Sequence, residues 1–325
     1  MAASPAALRF PFTRVLLPRT RLAYIHLHNL LTDAKRDRAA RISGYVAISL
    51  LEELVVLYLV GDEVANATVR DARGSRAIAI PSALEKVPAE PEYGEICFHE
   101  ADQEQLSCMF AAQSAPAVPW PEPFTPSDPA VLFPHLMSLT FDGVVEIIAN
   151  DAVNYLIFKH GTVARTFLAS AHHGTIVDRV AKLFAREGRV GDLRVARWDS
   201  PAPLPIQAPP GLVQAYRDLA AALVQKLVEN GRDSAPTIAE HARQNLLPSH
   251  PVLESFAVSG RPNKEPLADT AGLTSGVAAW IKEVMWAAVD HDATSPEQLL
   301  RDLTWDRRHV FQSAGLYEQI PWKVM

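Results

Sequence analysis

The chain has 325 residues, 48% apolar and 21% charged, which is enough to bury a proper core and too apolar for long disordered tracts. Its formal charge is −6 and no lysine or arginine run tracks phosphates, so nucleic acid is excluded as an expected partner. Two cysteines, Cys97 and Cys108, cannot frame a disulfide scaffold; they point to a reducing compartment and read as buried small apolar side chains.

Residues 1–21 read as an extended N-terminal arm, with ALRFPFTRVLLPRTR as its body. The first ten residues lack the charged start and apolar run of a secretory signal. Pro11 and Pro18 forbid a long helix, and Arg9, Arg14, Arg19 and Arg21 meet no acidic residue before Asp33. Residues 22–112 form a first module. Ala23, Leu27, Leu30, Leu31 and Ala34 share a helical face; Val46 and Ile48 alternate with smaller residues after Gly44; Leu54–Val60 is continuously apolar, the mark of a strand buried on both faces. Ser82 and Glu85 have capping-box spacing for a short helix, and Ile96 and Phe98 lie in a closing strand.

Residues 113–134 carry six prolines from Pro116 to Pro129 and read as a stiff linker. Residues 135–199 then repeat the order of the first module. GVVEII opens a strand, Asn150-Asp151 turns it, Val153 to Phe158 returns, Ile176, Val180, Leu183 and Phe184 share a helical face, and Leu193, Val195 and Ala196 close. LYLVGDEVANA matches LIFKHGTVART in pattern, with the turn glycine displaced by one position (Gly61 against Gly161), and Gly94 and Gly191 precede the last strands. A second proline linker spans 200–211, and residues 212–325 are helical. There Leu212, Tyr216, Leu219, Leu223 and Leu227 form a stripe that Asn230-Gly231 ends, and a looser break falls at 259–266. Thr237 and Glu240 have box spacing; Val277, Trp280, Ile281, Val284 and Met285 are core positions; Ser295-Pro296-Glu297-Gln298 opens a further helix. The fold class is therefore α+β: two small antiparallel-sheet-plus-helix modules in tandem, then an all-α C-terminal domain.

On GYVAI and LYLVGDEVANA in one copy, and GVVEI and LIFKHGTVART in the other, each module resembles the PATAN-type domain. That domain accompanies bacterial signalling proteins, often beside receiver domains. The resemblance covers residues 22–100 and 132–198 and implies a non-enzymatic interaction module with no catalytic residues to transfer. The chain departs from that setting in having no receiver-type acidic cluster. Its helix before the second hairpin is expected to be nearly absent, because Pro134 and Phe141 leave little room, so the second copy would lean on the first for its core.

Reactive side chains do not cluster. His26 and His28 diverge on a helix, His99-Glu100 and His172-His173 lack companions at metal-ligand spacing, and Asp290-His291-Asp292 suits a helix end better than a proton relay. No G-x-S-x-G elbow, P-loop or G-x-G-x-x-G fingerprint occurs, and Gly74-Ser75 reads as a turn. No catalytic residue, cofactor or metal is expected. Contacts with other proteins are assigned to Arg9, Phe10, Phe12 and Arg14 in the arm and to Trp305, Phe311, Tyr317 and Trp322 near the C-terminus, while Trp280 and Trp286 are given to the helical core. The leading expectation is a cytoplasmic scaffold protein, a subunit of a larger assembly. A second is a soluble accessory subunit on the cytoplasmic face of a membrane complex, such as a photosynthetic one, with the arm on anionic headgroups or a partner's groove or folded back on its own module. A third is a hydrolase or transferase with a dispersed site.

Overall fold

The computed structural model describes residues 8–36, 41–88, 91–122, 124–126, 128–170, 174–184, 193–256, 265–288 and 295–324. The chain divides into two units, Met1–Pro205 and Ile206–Met325. His172-His173, Gly191, Asp290-His291-Asp292 and most of the 259–266 break lie outside the described residues.

In the first unit, β-branched and aromatic runs form β1 (Arg14–Arg21), β2 (Gly44–Ser49), β3 (Leu54–Val60), β4 (Glu63–Asp71), β5 (Gly74–Ile78) and β6 (Glu95–Glu100). They make a six-stranded antiparallel sheet in the order β1-β6-β2-β3-β4-β5. A second antiparallel sheet, β10-β7-β8-β9, comprises β7 (Gly143–Ala149), β8 (Ala152–Lys159), β9 (Thr162–Phe167) and β10 (Arg194–Asp199). Five helices accompany them among the described residues: α1 (Leu27–Arg36), α2 (Ile80–Glu85), α3 (Gln103–Ser114), α4 (Pro129–Ser138) and α5 (Ile176–Phe184).

Because side chains alternate along a strand, each sheet has two buried faces. Val55, Leu57 and Leu59 of β3 join Val46, Ile48 and residues of α1 and α2 in one core. Val145, Ile147, Leu156 and Phe158 join α4 and α5 in another. The opposite faces, with Tyr45, Leu54, Val56 and Tyr58 from one sheet and Val144, Ile148, Val153, Tyr155 and Ile157 from the other, share a third core with α3.

The internal repeat is a matter of register as well as order. Gly44↔Leu59 and Gly44↔Glu100 in the first sheet become Gly143↔Phe158 and Gly143↔Asp199 in the second, every residue 99 positions after its counterpart. The β-bulge between Tyr58 and Leu59 recurs between Ile157 and Phe158. The backbone bond from Asp62 N–H to the Ile42 carbonyl, 2.9 Å, recurs at 2.9 Å from Gly161 to Phe141. Both opening glycines have one cause: a Cβ would lie 2.1 Å from the His99 carbonyl oxygen at Gly44 and 2.3 Å from that of Trp198 at Gly143. The displaced turn glycine is explained as well. Gly61-Asp62 and His160-Gly161 both have positive φ at two positions, as tight hairpin turns of this hand require. In the second copy the backbone of α4 sits over the latter position, where a Cβ would meet Met137 Cα at 2.5 Å, so the glycine belongs there.

Several expectations are corrected. The helix before the second hairpin exists: α4 has Pro129 in its first turn, an Asp128 carboxylate accepting from Ala130 N–H at 2.7 Å, and fully buried Leu132 and Leu136. Burial of that apolar face outweighs the hydrogen bond that Pro134 removes. The 113–134 stretch is thus no free linker. It begins in the last turn of α3, which proline counting overlooked, and then runs beside β10: Val118 N–H donates to the Arg197 carbonyl at 2.8 Å and the Trp120 indole to that of Val195 at 3.1 Å. Ser82 is not a cap either, since α2 starts at Ile80 after Ala79. Residues 14–21 of the extended arm are β1, the outermost strand beside β6, as the alternative of an arm folded back on its own module has it.

The second unit is helical: α6 (Pro210–Glu229), α7 (Ala235–Leu246), α8 (Thr270–Ala288), α9 (Pro296–Thr304), α10 (Arg308–Ser313) and α11 (Leu316–Gln319). The stripe from Leu212 to Leu227 and the five core positions of α8 are all buried in one cluster. Gly231, at φ 83°, ends α6 as its sequence implies, and Pro296 opens α9. α7 begins before the expected Thr237–Glu240 box, with Pro236 in its first turn. The architecture is α+β, with a helical C-terminal region. Among the described residues no helix is long and apolar enough to cross a membrane.

Candidate functional site

The N-terminal arm is held in a clasp. Leu8 and Phe10 point into the core shared by the two sheets, and Phe10 is only 3% exposed, set edge-to-face on Tyr45. Arg9 between them joins the second sheet: its N–H donates to the Asp151 carbonyl and its own carbonyl accepts from Val153, each at 2.8 Å, while Nη2 reaches the Asn150 carbonyl at 3.2 Å. From the first module, Gln105 Nε2 donates to the Pro11 carbonyl at 2.5 Å. Tyr45 Oη lies 3.1 Å from that same carbonyl and 2.8 Å from His99 Nδ1. Tyr45 Oη thus ties the arm's backbone carbonyls to the His99 ring on β6. Burial lowers the His99 pKa.

Of the four arm residues assigned to partners, Phe10 is therefore a correction: it is a core side chain, and the alternative of an arm folded on its own chain describes it. Phe12 is 43% exposed with its ring 4.4 Å from that of His99. Arg14 is engaged with Glu100 at 2.7 Å, as Arg19 is with Glu95 at 2.7 Å, so the basic stripe read in the sequence is partly neutralised.

The same shared core holds a carboxylate that sequence reasoning passed over. Glu146, 7% exposed, sits in the middle of β7 directly opposite Tyr155 of β8; the phenol and the carboxylate face each other, but no well-formed hydrogen bond satisfies Glu146 Oε2 or Tyr155 Oη. Burial pushes the Glu146 carboxyl up to about 7, outweighing the pull of Arg70 and Arg194. The signal was available: GVVEII places one charge at a position whose alternation partners are all buried. Burial also raises both thiols, Cys108 to about 12.

In the helical unit, Trp280 is buried with its indole N–H donating to the Ala239 carbonyl at 2.9 Å. Trp286, expected beside it in the core, is 63% exposed and stands edge-to-face against the partly buried Trp322, ring centroids 6.2 Å apart. The stripe Val277, Trp280, Ile281, Val284 turns inward, and Trp286 falls off it onto the solvent face of α8. Trp305 is also open, at 64%, on a short 3₁₀ turn. Phe311 is the second correction: it is 1% exposed, with its ring 5.4 Å from Tyr216. Tyr317 packs partly buried against the helical core. Between α7 and α8 runs a groove of about 250 Å³ lined by Thr237, Ile238, His241, Asn245, Glu283 and Ala287, the last adjoining Trp286 in sequence. Among the described residues no three His, Cys, Asp or Glu side chains come together as a metal site.

Set beside known proteins, the chain matches no family model, no curated protein and no solved structure.

Proposed function

We propose that this protein is a non-catalytic protein-binding component whose docking face lies on its helical unit. One observation carries the reading: Trp286 and Trp322 form an edge-to-face pair with Trp286 63% open to solvent, next along α8 to Ala287 of the α7–α8 groove. An indole offers a large apolar area and one N–H donor, the combination that dominates interface energetics. The resemblance of both modules to PATAN-type interaction domains supports the same class of function. Among the partner-binding residues read from the sequence, Trp322 belongs to this face, while Trp305 on its 3₁₀ turn and Phe12 on the first unit are left as secondary contacts.

The experiment compares wild-type protein with Trp286→Ala and Trp322→Ala as bait in the native host, under crosslinking, with each recovered partner then titrated in purified form. A hot-spot indole contributes at least about 2 kcal/mol, so partner affinity falls roughly thirtyfold for Trp286→Ala. Undiminished affinity in both variants removes this face from the proposal.

A further inference from the structure

Two modules that repeat each other residue for residue reveal which side chains the fold needs and which it merely carries. The counterpart of Glu146 in the first module is Ala47, and that of Tyr155 is Val56; all four positions face the shared core. The fold therefore builds this face from apolar residues in one copy and installs an acid and a phenol in the other. A buried carboxylate without full hydrogen bonding works against the closed state whenever it is charged.

We propose that Glu146 makes the seam between the two modules a proton-controlled closure: neutral, it allows a dry joint, and ionised, it opens the joint and loosens the N-terminal arm seated in the same core. The charged and titratable groups that interact with Glu146 among the described residues are Tyr58 from β3, Arg70 from β4, Tyr155 from β8 and Arg194 from β10. From α3, Cys108 faces Tyr155. Burial opposes ionisation more strongly than Arg70, the Tyr155 phenol and Arg194 together favour it. The mechanical link to the arm is short. Leu8 and Phe10 pack in the same cluster as Tyr155, and Arg9 is bonded to Asp151 and Val153, at the turn joining the strands of Glu146 and Tyr155.

The test is amide exchange on the full chain, corrected for the intrinsic pH dependence of exchange. Moving from about pH 6 to about pH 8, opening of β7, β8 and the residue 8–12 arm is expected to increase roughly tenfold in wild type, the linkage ratio for a carboxyl that titrates near 7 when closed and near 4.5 when open. Glu146→Gln keeps the shape of the neutral acid and is expected to change less than about twofold over that range. Equal pH responses in the two proteins overturn the proposal. Should Glu146→Gln not fold, isotope-edited infrared titration of wild type decides: a Glu146 midpoint near 4.5 overturns it, and one near 7 accompanied by the exchange increase upholds it.

Discussion

The two modules of the first unit are built on one register, yet they spend their buried positions differently. The first fills its inward face with Tyr45, Ala47, Leu54, Val56 and Tyr58, and flanks its four common strands with β1 and β5. The second has four strands among the described residues and sets Glu146 and Tyr155 where the first has Ala47 and Val56. On the outer face, Asn154 takes the place of Val55, and its amide is satisfied by the Ile147 and Ala152 carbonyls, both at 3.1 Å, and by Ala169 N–H at 3.0 Å. A fully bonded buried amide costs little; a buried carboxyl with an unpartnered oxygen costs a great deal once charged. The contrast separates a polar group that serves the fold from one that burdens it.

The largest expected effect concerns what joins the copies. Phe10 belongs to neither repeat, yet it lies in the core both share. Phe10→Ala is expected to cost about 4 kcal/mol in denaturant unfolding, the usual toll for deleting a buried phenylalanine. A loss under about 1 kcal/mol breaks the picture of an arm that completes the seam.

Next comes the asymmetric carboxylate. The folded protein holds a proton on Glu146 up to about pH 7, whereas the unfolded chain releases it near 4.5. Between those values the folded state binds more protons, so stability falls as pH rises through this window and levels off above it. Glu146→Gln is expected to lack that slope, matching wild type below about pH 4 and exceeding it by about 3 kcal/mol near pH 8. Parallel stability curves from pH-dependent urea unfolding contradict the assignment.

The shared features have their own test. A Cβ at Gly44 or Gly143 strikes a backbone carbonyl of the neighbouring strand, which no side-chain rotation relieves. Gly44→Ala and Gly143→Ala are expected to lose similar amounts, about 2 kcal/mol each or somewhat more, in denaturant melts. A penalty at only one site shows that the register repeats without its steric cause.

These pairs also mark how far the sequence could be read. Strands with continuous apolar runs, such as Leu54–Val60, were legible because nothing but burial on both faces accounts for them. The repeat was legible because close strand approach demands glycine at Gly44 and Gly143 alike. What stayed hidden depended on tertiary partners. Prolines between residues 113 and 134 suggested a linker, yet they carry a strand-edge cover and the start of α4. Trp286 and Phe311 exchanged their expected places because an aromatic residue reads alike in a core and on a surface. Phe10 looked available because an arm's destination is set by a seam that exists only once both modules are folded. Glu146 was in plain sight, and only its burial makes it notable.

The smallest effect bears on α4, the helix that proline content argued against. Asp128 closes its first turn by accepting from Ala130 N–H at 2.7 Å, and its exposed carboxylate meets the positive end of the helix. Asp128→Ala removes one cap bond and nothing from the core, so a loss of about 1 kcal/mol is expected, measurable in denaturant melts. Asp128→Asn retains an accepting oxygen and is expected to recover most of it. Because Leu132 and Leu136 of α4 are anchored in the outer core of the second sheet, fraying its first turn leaves that core in place. A loss near that of a core deletion would mean instead that the second module depends on this turn for its outer layer.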